Sequence, residues 1–158
     1  MKTGLVNGCF DLLHEGHKLM LAEALSNCDH LTIALNSDAS VMRLKGPTRP
    51  IQNWGNRFWA IHRWHGDSAR LKPRWELLTP IAVISFEGDD QKLLLQIRPQ
   101  ILFKGHDHSP LPIFYRRIGW KKLAPGEPVF EGPEVHQCGR VEGVSTTKLL
   151  EQMQHESA

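Results

Sequence analysis

An alternation of short apolar runs with stretches of helical spacing limits this chain most. Leu5 to Phe10 reads as a short buried strand, and Gly16 to Asn27 follows with apolar residues three and four apart. His30 to Leu35 is a second strand, stopped by Asn36-Ser37-Asp38, and a short helical pattern leads to the turn Lys45-Gly46-Pro47-Thr48-Arg49-Pro50. Ile81 to Phe86 is a third strand and Asp89 to Ile97 a helix that Arg98-Pro99 ends. Ile101 to Phe103 is a fourth strand, and either Val129-Phe130 or Val135 to Cys138 supplies a fifth. Ser145 to Gln154 reads as a last helix with Ser145 as its cap. In the harder stretch 51–78, Trp54, Phe58, Ile61 and His65 share a helical face, and Gly66-Asp67-Ser68 reads as a break. Strand-helix alternation predicts an α/β, Rossmann-like, doubly wound parallel sheet of about five strands, with ligands at the strands' carboxyl ends.

The 158 residues suit one domain, 1–158, able to bury a core without staples. Cys9, Cys28 and Cys138 are too widely spaced for a disulfide framework or a zinc motif, so no metal ligand is expected and a reduced, cytoplasmic setting is. The N-terminal run meets Asp11 before it is apolar enough for a signal peptide, and no stretch approaches the ~20 apolar residues of a membrane span. The net charge of +2 hides a segregation. Residues 43–74 hold eight cations and one acid, Asp67, for a net +7, leaving −5 elsewhere. A localised field of that sign suits a polyphosphate better than a long nucleic acid.

The chemistry-bearing residues follow strands. In Gly8-Cys9-Phe10-Asp11-Leu12-Leu13-His14-Glu15-Gly16-His17, two histidines three apart open a helix whose free N–H groups attract anions. A second segment, Arg43 to Pro50, sets three cations on a turn that Gly and Pro make rigid, suited to a phosphate ester or triphosphate. Lys104-Gly105-His106-Asp107-His108 follows the fourth strand, where Asp107 can accept from a ribose hydroxyl or base amine. Arg140 to Lys148 brings Ser145, Thr146 and Thr147 to a helix start, a second anion site. Each segment also has a plain structural reading: a packed histidine pair, a solvated basic loop, surface histidines, a helix cap.

Together these strings resemble the cytidylyltransferase-like nucleotidyltransferases. GCFDLLHEGH resembles that family's HxGH signature and RVEGVSTTKL its ISTT-type segment. NSDASVMRLKGPTRPI and RPQILFKGHDH are most similar to the adenylyltransferase of ADP-heptose synthesis, while RVEGVSTT is equally similar to glycerol-3-phosphate cytidylyltransferase. The resemblance implies His14, His17 and Lys45 as catalytic residues, with Lys45 and Arg57 on substrate phosphate. It implies nucleotide binding by Gly8, Cys9, Phe10, Asp11, Gly16, His17, Lys104, Gly105, Asp107, Arg140, Ser145, Thr146 and Thr147. It further implies Mg²⁺ carried with the nucleotide, ATP or CTP as donor, a phosphorylated sugar or polyol as acceptor, and a homodimer. Asn56 stands where the family tends to an acid and His108 where it commonly has Tyr or Trp, and residues 58–78 run longer than the usual connection.

Two other readings compete. Aminoacyl-tRNA synthetases also open a helix with a HIGH-type motif, but this chain is short for one and has no Lys-Met-Ser-Lys-Ser-like segment. A non-catalytic module could dock single-stranded nucleic acid on the basic, Trp-bearing stretch 43–75, although those Trp residues could equally cover the sheet.

Overall fold

A computed structural model describes residues 1–70, 79–105, 132–139 and 151, with backbone only at 69–70. Five strands, β1 (Thr3–Gly8), β2 (His30–Asn36), β3 (Ile81–Phe86), β4 (Ile101–Lys104) and β5 (Glu134–Gln137), form one sheet in the order β3-β2-β1-β4-β5. Every pairing in it is parallel. The helices are α1 (Glu15–Ser26), α2 (Asp38–Lys45), α3 (Trp54–Arg70) and α4 (Asp90–Ile97).

Alternation along the strands sends side chains to two faces, each with its own core. Val6, Ile33, Leu35, Ile101 and Phe103 meet Leu21 and Ala24 of α1 and Ile61 of α3 on one face. Leu5, Ala34 and Leu102 meet Leu93 and Leu94 of α4 on the other. Helices on both faces make the sheet doubly wound, as expected. The chain runs outward from β1 to β2 and β3, then crosses to the other side of β1 to lay down β4. The crevice between the carboxyl ends of β1 and β4 is therefore the topological switch point, where open α/β sheets bind ligands.

Several sequence expectations need adjustment. The first strand ends at Gly8, two residues short of the expected Phe10, because Phe10 turns to φ 49°. Gly66-Asp67-Ser68 does not break the helix; α3 runs through it. Ser68 turns its hydroxyl back to the Trp64 carbonyl at 2.8 Å, and one buried face spanning Trp54, Phe58, Ile61 and Trp64 holds the helix together against weak local propensity. Of the two options for the fifth strand, 134–137 is a strand, whereas 129–130 lies outside the described residues, as does most of the last helix expected at 145–154. No helix among the described residues is long and apolar enough to cross a membrane.

Candidate active site at the switch point

The loop from β1 to α1 is built under strain. Phe10 and Leu12 both have left-handed backbones, φ 49° and 57°, without being glycine. Such residues cost on the order of 1–3 kcal/mol each and persist only where their surroundings hold them. Phe10 is held by burial of its ring, which lies 5.0 Å from that of His17. Asp11 holds the loop from the other side. Its buried carboxylate accepts from Arg49 Nε at 2.7 Å and from the backbone N–H groups of Ile51 and Gln52, both at 2.9 Å. Burial pushes this carboxyl up, but the two N–H groups and Arg49 outweigh it and leave the pKa below the ordinary value. The β1 loop and the 46–52 turn are thus one body.

His14 caps α1, its Nδ1 accepting weakly from the His17 N–H at 3.4 Å. Its ring stacks on that of His17, centroids 3.7 Å apart and planes within 18°. Gly16 makes the stack possible, since a Cβ there would lie 3.1 Å from the His14 ring. Burial, the neighbouring His14 and the Lys45 charge push His17 down to about 3; burial lowers His14 as well. Both rings are neutral at physiological pH. His17 Nδ1 is buried and makes no hydrogen bond, and neither does the buried Nη2 of Arg49. Arg49 Nη2 is a donor, and an unpaired buried donor costs about 1–3 kcal/mol, so that position favours a ligand that supplies an acceptor. The His17 ring is already held by a hydrogen bond to the Leu12 backbone.

Arg57 sits elsewhere than its expected role requires. It is fully buried beneath the site. Nη1 donates to the Cys9 carbonyl at 2.6 Å, and Nη2 to the Asn36 carbonyl at 2.8 Å and Asp38 Oδ1 at 2.7 Å. Nε donates to the Gln52 carbonyl at 3.0 Å. The guanidinium therefore ties together the ends of β1 and β2 and the approach to α3. Lys104 also turns inward: its Nζ donates to Asn7 Oδ1 at 2.6 Å and lies 3.7 Å from Asp90. Burial lowers its pKa while Asp90 opposes the shift. Gly8, Cys9 and Gly105 stand at the strand ends bordering the crevice. Asp107, Arg140, Ser145, Thr146 and Thr147 lie outside the described residues.

The basic field read from residues 43–74 is partly neutralised by distant acids. Arg43 pairs with Glu87, Arg49 with Asp11 and Arg57 with Asp38. Lys45, exposed at the end of α2, keeps its charge close enough to depress both imidazoles. Trp54 and Trp64 pack on the core, while Trp59 is 65% exposed. Sequence reasoning missed Asn7, Asn36, Asp38 and Asp90, which position the cations; Asn36-Ser37-Asp38 registered only as a strand stop.

The depressed histidine has a consequence for stability. Its folded pKa lies below the unfolded value of 6.5, so the unfolded chain takes up a proton that the folded chain refuses. Stability is therefore expected to fall as pH drops from about 6.5 towards 3. Urea midpoints across that range should fall less steeply in His17→Asn; equal slopes would contradict the buried neutral imidazole.

A model of the cytidylyltransferase-like family matches residues 5–152. The chain is similar to the bifunctional protein HldE of Rhodopseudomonas palustris (strain HaA2), with 37% identity over 152 residues, 96% of this chain and 26% of that one. It is also similar to the bifunctional protein HldE of Paramagnetospirillum magneticum, with 43% identity over 110 residues, 68% of this chain and 20% of that one. The chain thus spans about a quarter of the length of these relatives. Among solved structures it resembles the lipopolysaccharide core biosynthesis protein from Thermoplasma volcanium GSS1, with a TM-score of 0.63 and 23% identity. That match covers 90% of this chain and 99% of the other, and it speaks to the fold.

Proposed function

Because the chain belongs to the cytidylyltransferase-like family of nucleotidyltransferases, we propose that it transfers a nucleoside monophosphate from a triphosphate to a phosphorylated sugar, releasing pyrophosphate. An oxygen of the acceptor phosphate attacks the α-phosphorus. The bond from that phosphorus to the α,β-bridging oxygen breaks, and pyrophosphate leaves with the electron pair. The acceptor is already an anion, so the chemistry needs little base; it needs two anions held in line and charge stabilised on the transferring group.

The observation that carries this reading is the stacked His14–His17 pair at the start of α1, both rings shifted towards the neutral form. An imidazole N–H held there at no cost in reorganisation is a preorganised donor to a phosphate oxygen. His14 would donate beside it. Lys45 and the spare Nη2 of Arg49 would balance the polyphosphate charge, and the expected segment at Ser145, Thr146 and Thr147 would complete the cradle. Arg57 and Asp11 would act one layer back, keeping the loops in place. Mg²⁺ would arrive bound to the triphosphate and supply charge neutralisation there. The described residues at this edge fit that route better than direct ligation, being imidazoles, an ammonium and a guanidinium, with the Asp11 carboxylate already accepting three hydrogen bonds.

ATP is the proposed donor, from the resemblance of NSDASVMRLKGPTRPI to the adenylyltransferase of ADP-heptose synthesis. The family reading extends to a homodimer working in the cytoplasm. The test is pyrophosphate release with Mg²⁺ and each of ATP, CTP, GTP and UTP against a panel of sugar and polyol phosphates. Release is expected to be greatest with ATP and a sugar phosphate. Preference for CTP with a polyol phosphate would assign the cytidylyl reaction instead. No release with any pair, together with steeply salt-dependent nucleic-acid binding, would replace the enzyme by a binding module.

A further inference from the structure

Away from the crevice, on the α1 side of the edge strand, three side chains of different chemistry converge. His136 of β5 and Cys138 just beyond it are two residues apart and so share a face of the extended chain. Cys138 keeps the strand's ladder going, its N–H donating to the Lys104 carbonyl at 2.8 Å. Glu23 reaches across from α1, its Oε1 lying 2.7 Å from His136 Nε2. Its other oxygen accepts from the Gly139 N–H at 2.9 Å, which fixes the carboxylate's orientation. The Phe103 ring backs the imidazole, with centroids 5.3 Å apart. A carboxylate oxygen of Glu23, a ring nitrogen of His136 and Cys138 Sγ all lie within 4.8 Å of one another.

From this geometry we infer that Glu23, His136 and Cys138 form a three-ligand zinc site that ties the edge strand β5 to α1. Thiolate, imidazole and carboxylate are the three ligand types zinc takes, and bonds of roughly 2.0–2.3 Å need tetrahedral ligand atoms about 3.3–3.6 Å apart. The Glu23–His136 pair, at 2.7 Å, is closer than that spacing, and every other pair lies within 4.8 Å. The Glu23–His136 hydrogen bond must open slightly to admit the ion. Cys138 is buried, while Glu23 and His136 are about 30% exposed, so the ion would enter from their side and take a water as its fourth ligand. Binding forms the Zn–S, Zn–N and Zn–O bonds and releases the thiol proton to solvent, with no change of oxidation state. The carboxylate already has its supporting donor in the Gly139 N–H, the kind of outer partner that orients ligands in metal sites.

The test uses the full chain, stripped with chelator and titrated with Co²⁺ and then Zn²⁺. One equivalent of Co²⁺ is expected to give a near-ultraviolet thiolate charge-transfer band and the intense visible bands of a four-coordinate ion, both displaced by Zn²⁺. Cys138→Ser should abolish the charge-transfer band, while Cys9→Ser, near the His14–His17 pair, should keep it. His136→Asn should weaken binding by at least ~10-fold. If Cys138→Ser does not fold, Glu23→Gln should show the same ~10-fold loss. Zn²⁺ should also raise the thermal midpoint, since it binds only the folded arrangement. Absence of the charge-transfer band, its survival in Cys138→Ser, its loss in Cys9→Ser, or wild-type affinity in Glu23→Gln would each overturn the site.

Discussion

Replacing His17 by Ala is expected to lower turnover by ~10²–10³, the usual cost of removing one preorganised donor to a developing oxyanion. The fall should appear in kcat, with KM for the triphosphate moving less, because the lost hydrogen bond matters most where charge builds on the transferring phosphoryl group. The protein should still fold at neutral pH, with some stability lost where the ring packed against Phe10 and His14. His17 is neutral there and its Nδ1 makes no hydrogen bond, so truncation breaks no ion pair through that atom. Steady-state pyrophosphate release beside urea unfolding separates the two effects, and near-normal turnover in a folded variant would remove His17 from the catalytic role. His14→Ala should behave similarly, since its cap on the His17 N–H is a long 3.4 Å contact and adds little stability.

Replacing Arg57 by Ala is expected to cost about 3–5 kcal/mol of folding stability, because it empties a fully buried site and strips buried carbonyls of their donor. The substitution leaves the Cys9, Asn36 and Gln52 carbonyls without their donor, while the half-exposed Asp38 carboxylate is left to solvent. Single domains typically have about 5–15 kcal/mol in all, so the variant would lose a large share of its stability. Arg57→Lys keeps the charge but loses the planar fork that reaches four acceptors, and should retain only part of the stability. Unfolding measured without any substrate is the decisive readout. A midpoint unchanged in both variants would return Arg57 to the substrate phosphate, because a residue that only bound ligand would not hold the empty protein together.

Arg57 also illustrates where sequence reading stops. Its motif position pointed to a phosphate, and nothing local contradicted that. Its four acceptors come from three separate places in the chain, so only the fold could reveal that the guanidinium was already engaged. Asp11 was equally ambiguous: an acid within a signature string, it turned out to stitch the 46–52 turn to the β1 loop. Gly66-Asp67-Ser68 failed for the opposite reason. Its residues favour a break locally, and a buried face contributed by residues on the N-terminal side overrides that preference.

By itself, the sequence determined the kind of fold and the family. Strand and helix periods repeat within a few residues, and so do the HEGH string and the polar residues after each strand; short-range pattern is what a linear chain displays. Tertiary structure decided the rest. It set the order β3-β2-β1-β4-β5, which places the crevice between β1 and β4. It also stacked two imidazoles, buried Arg57 and brought Glu23 beside His136, more than a hundred positions away. Those outcomes depend on which distant groups share one low-dielectric space, and there a charge or a free donor acts far more strongly than it would in water.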